Sequence, residues 1–299
     1  MTAHATTAGG GPFGLSLCVL ASGSSGNCSV LVWRAGPGSP RRVVLLDAGL
    51  SPRRTASLLA DRGIRADEVD DIVFTHLDTD HCHPGWGHAI RPGGWRTRFR
   101  VHKRHLGRAE RMGLLFRHTE PFGDDLRVDD ALSARICTLA HDSLGVAAFR
   151  FEAQGPEGRT HLGYATDLGY VTKELTAMLA GVDVLAIESN YCARMQIESD
   201  RPEFLKRRIM GGSGHLSNAE SADAAGEIGP TGSLVLLHLS RQCNTPERAA
   251  AAHAGAGRPV VVSSQHEPTG WIAARAGAAA AGSGVEPVRF PRSLFGAHA

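Results

Sequence analysis

The chain has 299 residues, 42% hydrophobic and 21% charged, with a net charge of +2 when histidine is counted as neutral. That length supports one large domain or two small ones, with roughly three quarters of the unfolded surface buried. The near-neutral balance excludes a polyacidic or polybasic tail protein, though not a local basic patch.

Taken in chain order, residues 1–14 are expected to form a disordered tail, without the basic and apolar regions of a signal peptide. Leu15–Ser22 and Cys28–Trp33 read as strands flanking Gly23-Ser24-Ser25-Gly26-Asn27, a turn of residues tolerant of positive φ. Arg42–Asp47 is a third strand ending on an aspartate. Pro52–Arg62 has helical spacing, with proline at its start and Gly63 past its end. Asp71–Thr75 is again a strand, and a helix is expected to begin near His81. Ile136–Ala140, Val146–Glu152 and Thr160–Thr166 are β-rich, with Gly155-Pro156-Glu157-Gly158 as a hairpin turn. Thr172–Ala180 predicts a helix, Val182–Glu188 a strand, and Ser217–Ile228 a helix opened by the capping box Ser217/Glu220. Ser233–Leu239 is a buried strand, Thr245–Ala254 a helix and Pro259–Ser263 a strand, before an Ala/Gly-rich segment at 273–299. The pattern predicts one α/β domain over 15–272, its two sheets covered by outer helices, with no internal repeat.

Six cysteines without a CxxC pair read as free thiols in a reducing compartment. No apolar run nears the roughly 20 residues of a membrane helix, so a cytoplasmic location is expected. Fifteen histidines are generous for this length, and their arrangement is informative. His76-Leu77-Asp78-Thr79-Asp80-His81 directly follows a strand and offers four N and O donors, a set that suits zinc, manganese or iron and not a thiolate site. His141 and Asp167 each follow another apolar strand, and His238 lies near the end of a third. Ends of different strands gathering at one rim is how α/β folds build sites. Any one of these placements could be a solvated loop or a core histidine; their agreement is hard to produce by chance.

The order His76-x-Asp78-x-Asp80-His81, His141, Asp167, His238 resembles the metallo-β-lactamase superfamily, whose signature is H-x-H-x-D-H with three later ligands. The likeness runs from about Leu15 to Ser264. Ser22-Gly23-Ser24-Ser25-Gly26-Asn27, Leu46-Asp47-Ala48-Gly49, Ala165-Thr166-Asp167-Leu168-Gly169, Glu188-Ser189-Asn190, Gly214-His215-Leu216-Ser217-Asn218 and His238-Leu239-Ser240-Arg241-x-x-Asn244 are similar to the WalJ/YycJ-type branch, itself similar to nucleases and phosphodiesterases. The resemblance implies an αββα sandwich of two mixed sheets, with the metal site at one edge between them. It implies two divalent ions, zinc foremost. One would be held by His76, Asp78 and His141, the other by Asp80, His81 and His238, with Asp167 bridging. A metal-bound hydroxide would attack, Asp80 would orient it, and His215 would donate a proton or hold phosphate beside a helix N-terminus.

Two departures stand out. Asp78 replaces the signature's second histidine, and this harder ligand opens the site to manganese or iron. Tyr191 replaces a histidine of the branch and receives no role. Asp47 is expected to order the ligand loop through hydrogen bonds. Arg241 and Ser217 are expected substrate contacts. The arginines between Arg91 and Arg117, and Arg201 with Lys206, Arg207 and Arg208, either track a phosphate backbone or face solvent. His83, His88, His102, His105, His118, His161, Trp86, Trp95 and Cys82 read as surface or core. The expected function is a metal-dependent hydrolase of phosphodiester bonds, a nuclease or small phosphodiesterase. The alternatives are hydrolysis of a lactone, thioester or lactam at the same site, or a weakly metallated, non-catalytic binding domain. Expected partners are nucleic acid or a small phosphodiester, with no membrane and a homodimer left open.

Overall fold

The computed structural model describes residues 14–36, 39–90, 95–115, 118–141, 143–155 and 158–275. Most of the expected N-terminal tail, the chain from residue 276, Pro156 and Glu157 of the hairpin turn, and Arg91 and Arg117 lie outside the described residues.

Alternation builds the first sheet. In β1 (Gly14–Ala21), Leu15, Leu17 and Val19 face one side while Cys18 and Leu20 face the other, and both sets are buried. β1 pairs antiparallel with β2 (Cys28–Arg34), and β2 with β3 (Arg41–Leu46). Helix α1 (Pro52–Ala60), capped by the Ser51 hydroxyl, then crosses over to a parallel strand, β4 (Asp71–Val73). Helix α2 (Trp86–Ala89), β5 (Arg98–His102), α3 (Leu106–Arg111) and β6 (Thr119–Phe122) extend the sheet with further parallel pairs.

The second sheet starts as an antiparallel meander of β7 (Asp125–Arg127), β8 (Leu132–Leu139), β9 (Val146–Gly155) and β10 (Gly158–Ala165). Helix α4 (Lys173–Leu179) leads to β11 (Val184–Glu188), followed by α5 (Ala193–Glu198), α6 (Glu203–Arg208) and α7 (Asn218–Ile228). Parallel strands β12 (Ser233–Leu237) and β13 (Val260–Val262), joined by α8 (Pro246–Ala252), complete that sheet. Finally β14 (Ile272–Ala274) returns to pair with β1. Each sheet is seven-stranded and mixed.

Three apolar layers hold the stack together. Leu17, Leu46, Phe149, Phe151, Tyr164 and Leu237 fill the space between the sheets. Ile72, Phe74, Trp86 and Phe99 pack the outer side of the first sheet against its helices, and Leu175, Leu179, Ala225 and Ile228 do so for the second. The result is helix, sheet, sheet, helix. Each large side chain so buried contributes about 1.5–3 kcal/mol, so the site rests on a rigid frame.

Two expectations are corrected. No helix starts near His81: Asp78 O accepts both the His81 and Cys82 amides in a tight turn, and His83 Nδ1 takes the Gly85 N–H, which delays α2 to Trp86. The domain does not stop at Ile272: Ala273 and Ala274, the first residues of the Ala/Gly-rich segment, pair with Ser16 and Leu15 in β14. Strands β5 and β6 of the first sheet have no counterpart in the sequence reading, since four- and five-residue strands carry too few alternations to be read. Trp86 and Trp95 are buried against one another, ring centroids 4.8 Å apart, and Cys82 is a fully buried thiol whose pKa burial pushes up to about 12.

Candidate metal centre

The site forms where loops at the strand ends of both sheets are laced together by their backbones. Asn27 N–H donates to Asp80 O at 2.7 Å, Gly49 N–H to Asn27 O at 2.8 Å and Ala48 N–H to His81 O at 2.7 Å. These bonds fasten the Ser22–Asn27, Asp47–Gly49 and His76–His81 loops to one another. Gly49 is required by close approach: a Cβ there would lie 1.8 Å from Asp80 O. On the second sheet, Asn190 Nδ2 donates to His238 O at 2.7 Å, and Asn244 Nδ2 to the carbonyls of Ser189 and Asn190, both at 2.9 Å. The six short motifs are thus the pieces of one buried polar network, every member of which restrains another.

Asp47, Asp167 and His238 follow β3, β10 and β12 and have φ of 59°, 55° and 54°. Left-handed backbone costs a non-glycine residue roughly 1–2 kcal/mol, and such strain clusters at functional sites. Here it directs each side chain from its strand end into the cluster.

Among the described residues four overlapping sets of donor atoms lie within 4.8 Å of one another: His76, Asp78 and His141; Asp80, His81 and His238; His76, His81 and Asp167; and Asp167, Glu188, His215 and His238. Asp167 lies between His81 and His238, Oδ2 2.7 Å from His81 Nε2 and Oδ1 2.8 Å from His238 Nδ1. Burial opposes its charge, but His238 and His81 outweigh burial and hold its carboxyl well below the usual range. His81 is buried too, yet Asp167 and Asp47 lift its pKa well above that of free imidazole. Burial and the adjacent His81 depress His76. Asp47 accepts from His81 Nδ1 at 2.7 Å and from the Thr75 N–H at 2.8 Å, which fixes the His81 ring. Asp78 Oδ1 is 2.7 Å from Arg108 Nη1, and Oδ2 is 3.8 Å from His76 Nε2. Four imidazoles with three carboxylates form a hard-to-intermediate N/O donor set, and that chemistry fits divalent cations.

His215 lines the same cavity, of about 380 Å³, as His76, Asp78, Asp80, His141, Asp167 and His238. Its Nδ1 is 2.7 Å from Glu188 Oε1, while Glu188 Oε2 accepts the Leu168 and Leu216 amides. Burial lowers the His215 pKa, but Glu188 and Asp167 more than reverse that and raise it to about 9. Glu188 was given no role from sequence, although it carries the same signal as Asp167: a carboxylate at the end of an apolar strand. Ser217, expected both to cap a helix and to contact substrate, is seen in the first role. Its hydroxyl accepts the Glu220 N–H and caps α7, and it is not on the cavity wall. Arg241 is exposed at the rim, donating to Ser25 Oγ at 3.2 Å. Tyr191 packs with Ile209 and Cys243.

The fold and the site together define an αββα hydrolase with a His/Asp rim drawn from the strand ends of both sheets. Residues 42–239 match the family model described as a beta-lactamase superfamily domain, and the chain belongs to that family of metal-dependent hydrolases. It is 28% identical over 254 residues to the exodeoxyribonuclease WalJ of Streptococcus pneumoniae serotype 2, covering 79% of this chain and 86% of that one. It is 26% identical over 241 residues to the exodeoxyribonuclease YycJ of Bacillus anthracis, with the same coverages. The metallo-beta-lactamase fold protein YhfI of Bacillus subtilis superposes with a TM-score of 0.62 at 16% identity, over 86% of this chain and 99% of that one, and so shares its fold. No helix among the described residues is long and apolar enough to cross a membrane.

Proposed function

We propose that the chain hydrolyses phosphodiester bonds of nucleic acid, with DNA the substrate favoured by its exodeoxyribonuclease relatives. His76, Asp78 and His141 would hold one divalent cation and Asp80, His81 and His238 the other, with Asp167 serving both. Zinc suits the imidazoles, and the three carboxylates also admit manganese or iron. Such cations, when bound, would supply Lewis acidity to activate water and to neutralise phosphoryl charge. Asp80, whose side chain is 27% exposed, accepts a hydrogen bond from the attacking water and orients it. His215, its Nδ1 engaged by Glu188, would donate its Nε2 proton to the leaving alkoxide. The six free cysteines accord with a reducing cytoplasm.

The observation that carries this reading is His215, locked by a buried glutamate and lining one cavity with both donor groups. A strongly basic leaving oxygen needs such a proton donor. The test is elemental analysis of the purified protein, paired with hydrolysis of bis(p-nitrophenyl) phosphate, a lactone and a β-lactam. The expected result is diester hydrolysis that is abolished in Asp80→Ala; His215→Ala is expected to slow cleavage of a DNA oligonucleotide, whose leaving alkoxide needs the proton, by roughly 10²-fold or more, and to slow the nitrophenyl diester, whose leaving group does not need it, far less. Turnover of the lactone or lactam with an inert diester would redirect the assignment to acyl substrates. Substoichiometric metal with no turnover would favour a binding domain.

A further inference from the structure

Between the Glu188-Ser189-Asn190 loop and His215, the chain rises into an arch made of α5, α6 and the turn at residues 209–213. Arg201, Leu205 and Arg208 of this arch line the cavity alongside the metal donors. Arg201 is held in place by neutral groups alone. Its Nε donates to Gln242 Oε1 at 3.0 Å, Nη1 to Gln196 Oε1 at 3.2 Å and Nη2 to Ser240 Oγ at 3.4 Å. Gln196 is fully buried and orients its oxygen toward Arg201, although its own Nε2 then has no partner. Among the described residues neither Arg201 nor Arg208 forms an ion pair, whereas Arg194 and Lys206 on the same arch pair with Glu198 and Glu203. A guanidinium that is preorganised but lacks a counter-charge is arranged for an anion supplied from outside. Three of its five N–H donors are bonded within the protein, which leaves two for that anion.

The outer face of the arch exposes apolar side chains among its charged ones. Phe204 is 71% exposed and Ile197 61% exposed. Tyr170 is 50% exposed, on the loop beside Gly169, which packs against Gly212 of the arch. Cations facing the reaction centre below exposed aromatic and aliphatic side chains match a chain of phosphates that carries flat bases.

We infer that this arch is the strand-binding element: Arg201 and Arg208 hold phosphates flanking the scissile one, and Phe204 stacks against a base. The assignment rests on the phosphodiesterase reading above and adds the surface that selects a polymer over a small diester. It is tested with the intact, metal-loaded protein and a fluorescein-labelled single-stranded phosphorothioate oligodeoxynucleotide, which resists cleavage. Anisotropy is followed as salt is raised. Arg201→Ala and Arg208→Ala are each expected to weaken binding roughly tenfold and to reduce the salt slope by about 1. Phe204→Ala is expected to weaken binding roughly fivefold or more while keeping the salt slope, a split that a general loss of structure does not produce. Because Arg208 and Phe204 are exposed, they decide the matter if Arg201→Ala melts early. Wild-type binding that is absent, or unchanged in Arg208→Ala and Phe204→Ala, overturns the assignment. Bis(p-nitrophenyl) phosphate turnover by the same wild-type preparation reports separately on the phosphodiesterase reading, so the two ideas fail by different results.

Discussion

Asp47 gives the sharpest test of how the ligand loop is held. It is completely buried, at φ 59°, and its carboxylate accepts from His81 Nδ1 at 2.7 Å and from the Thr75 N–H at 2.8 Å and hydroxyl at 3.0 Å. Asp47→Ala leaves the Thr75 amide and the His81 ring N–H buried without acceptors, at about 1–3 kcal/mol each. The Thr75 hydroxyl has another partner in His76 Nδ1 at 2.9 Å, so its loss adds little. An alanine in the left-handed region adds about 1 kcal/mol. The sum is roughly 3–7 kcal/mol, a large part of the 5–15 kcal/mol that stabilises a typical domain. Asp47→Asn keeps the shape, the acceptor for Thr75 and a side chain tolerant of positive φ, but removes the charge facing His81; its expected cost is about 1.5–3 kcal/mol. Both variants are expected to bind zinc 10–100-fold more weakly, as when a partner of a ligating histidine is removed. Urea melts give the stabilities, and competition with a chromophoric chelator gives the affinities. If Asp47→Asn retained wild-type zinc affinity and Asp47→Ala unfolded within 0.5 kcal/mol of wild type, which is about the scatter of a neutral surface change, the account of this loop would be wrong.

Three further outcomes are expected. Glu188→Gln removes the main charge that raises His215 to about 9. A group raised in the folded state stabilises fully below its unfolded pKa near 6.5, so the deficit of the variant should be largest there, at most about 3 kcal/mol, and should disappear as pH rises through 9; pH-dependent melts check this, and a pH-independent deficit would contradict it. Asp78→His restores an imidazole donor and frees Arg108 from its 2.7 Å contact, so zinc retained after dialysis should rise relative to manganese; elemental analysis showing equal zinc and manganese in both proteins would count against Asp78 as a ligand. Gly49→Ala places a Cβ 1.8 Å from Asp80 O and 2.7 Å from Asn27 N. It should displace the ligand loop and lower metal content together with stability, and a fully metallated, wild-type-stable variant would show the loop contact to be unimportant.

Much of the candidate centre was readable from local pattern. An apolar run that ends on Asp or His marks a strand end, and His76, Asp78, Asp80, His81, His141, Asp167 and His238 could be picked out because donor chemistry and strand position both lie within a few residues. The motifs at Asp47 and Asn27 were visible too, but not the bonds that join them to Asp80 and His81. Short strands such as β5 and β14, and the helices of the arch, carried too little periodicity to be seen. The capping box Ser217/Glu220 was legible because both partners lie within one helical turn.

Residue chemistry and its order along the chain therefore determined the fold class and marked out the candidate donors. Only the tertiary structure decided that Asp167 stands between His81 and His238, that Glu188 orients His215, and that Arg201 faces the cavity without a counter-charge. These pairings depend on partners far apart in the chain: the His238 amide, for example, donates to Ser22 Oγ across 216 positions. No local pattern encodes such a distance; it is set by how two seven-stranded sheets stack and where their strands end.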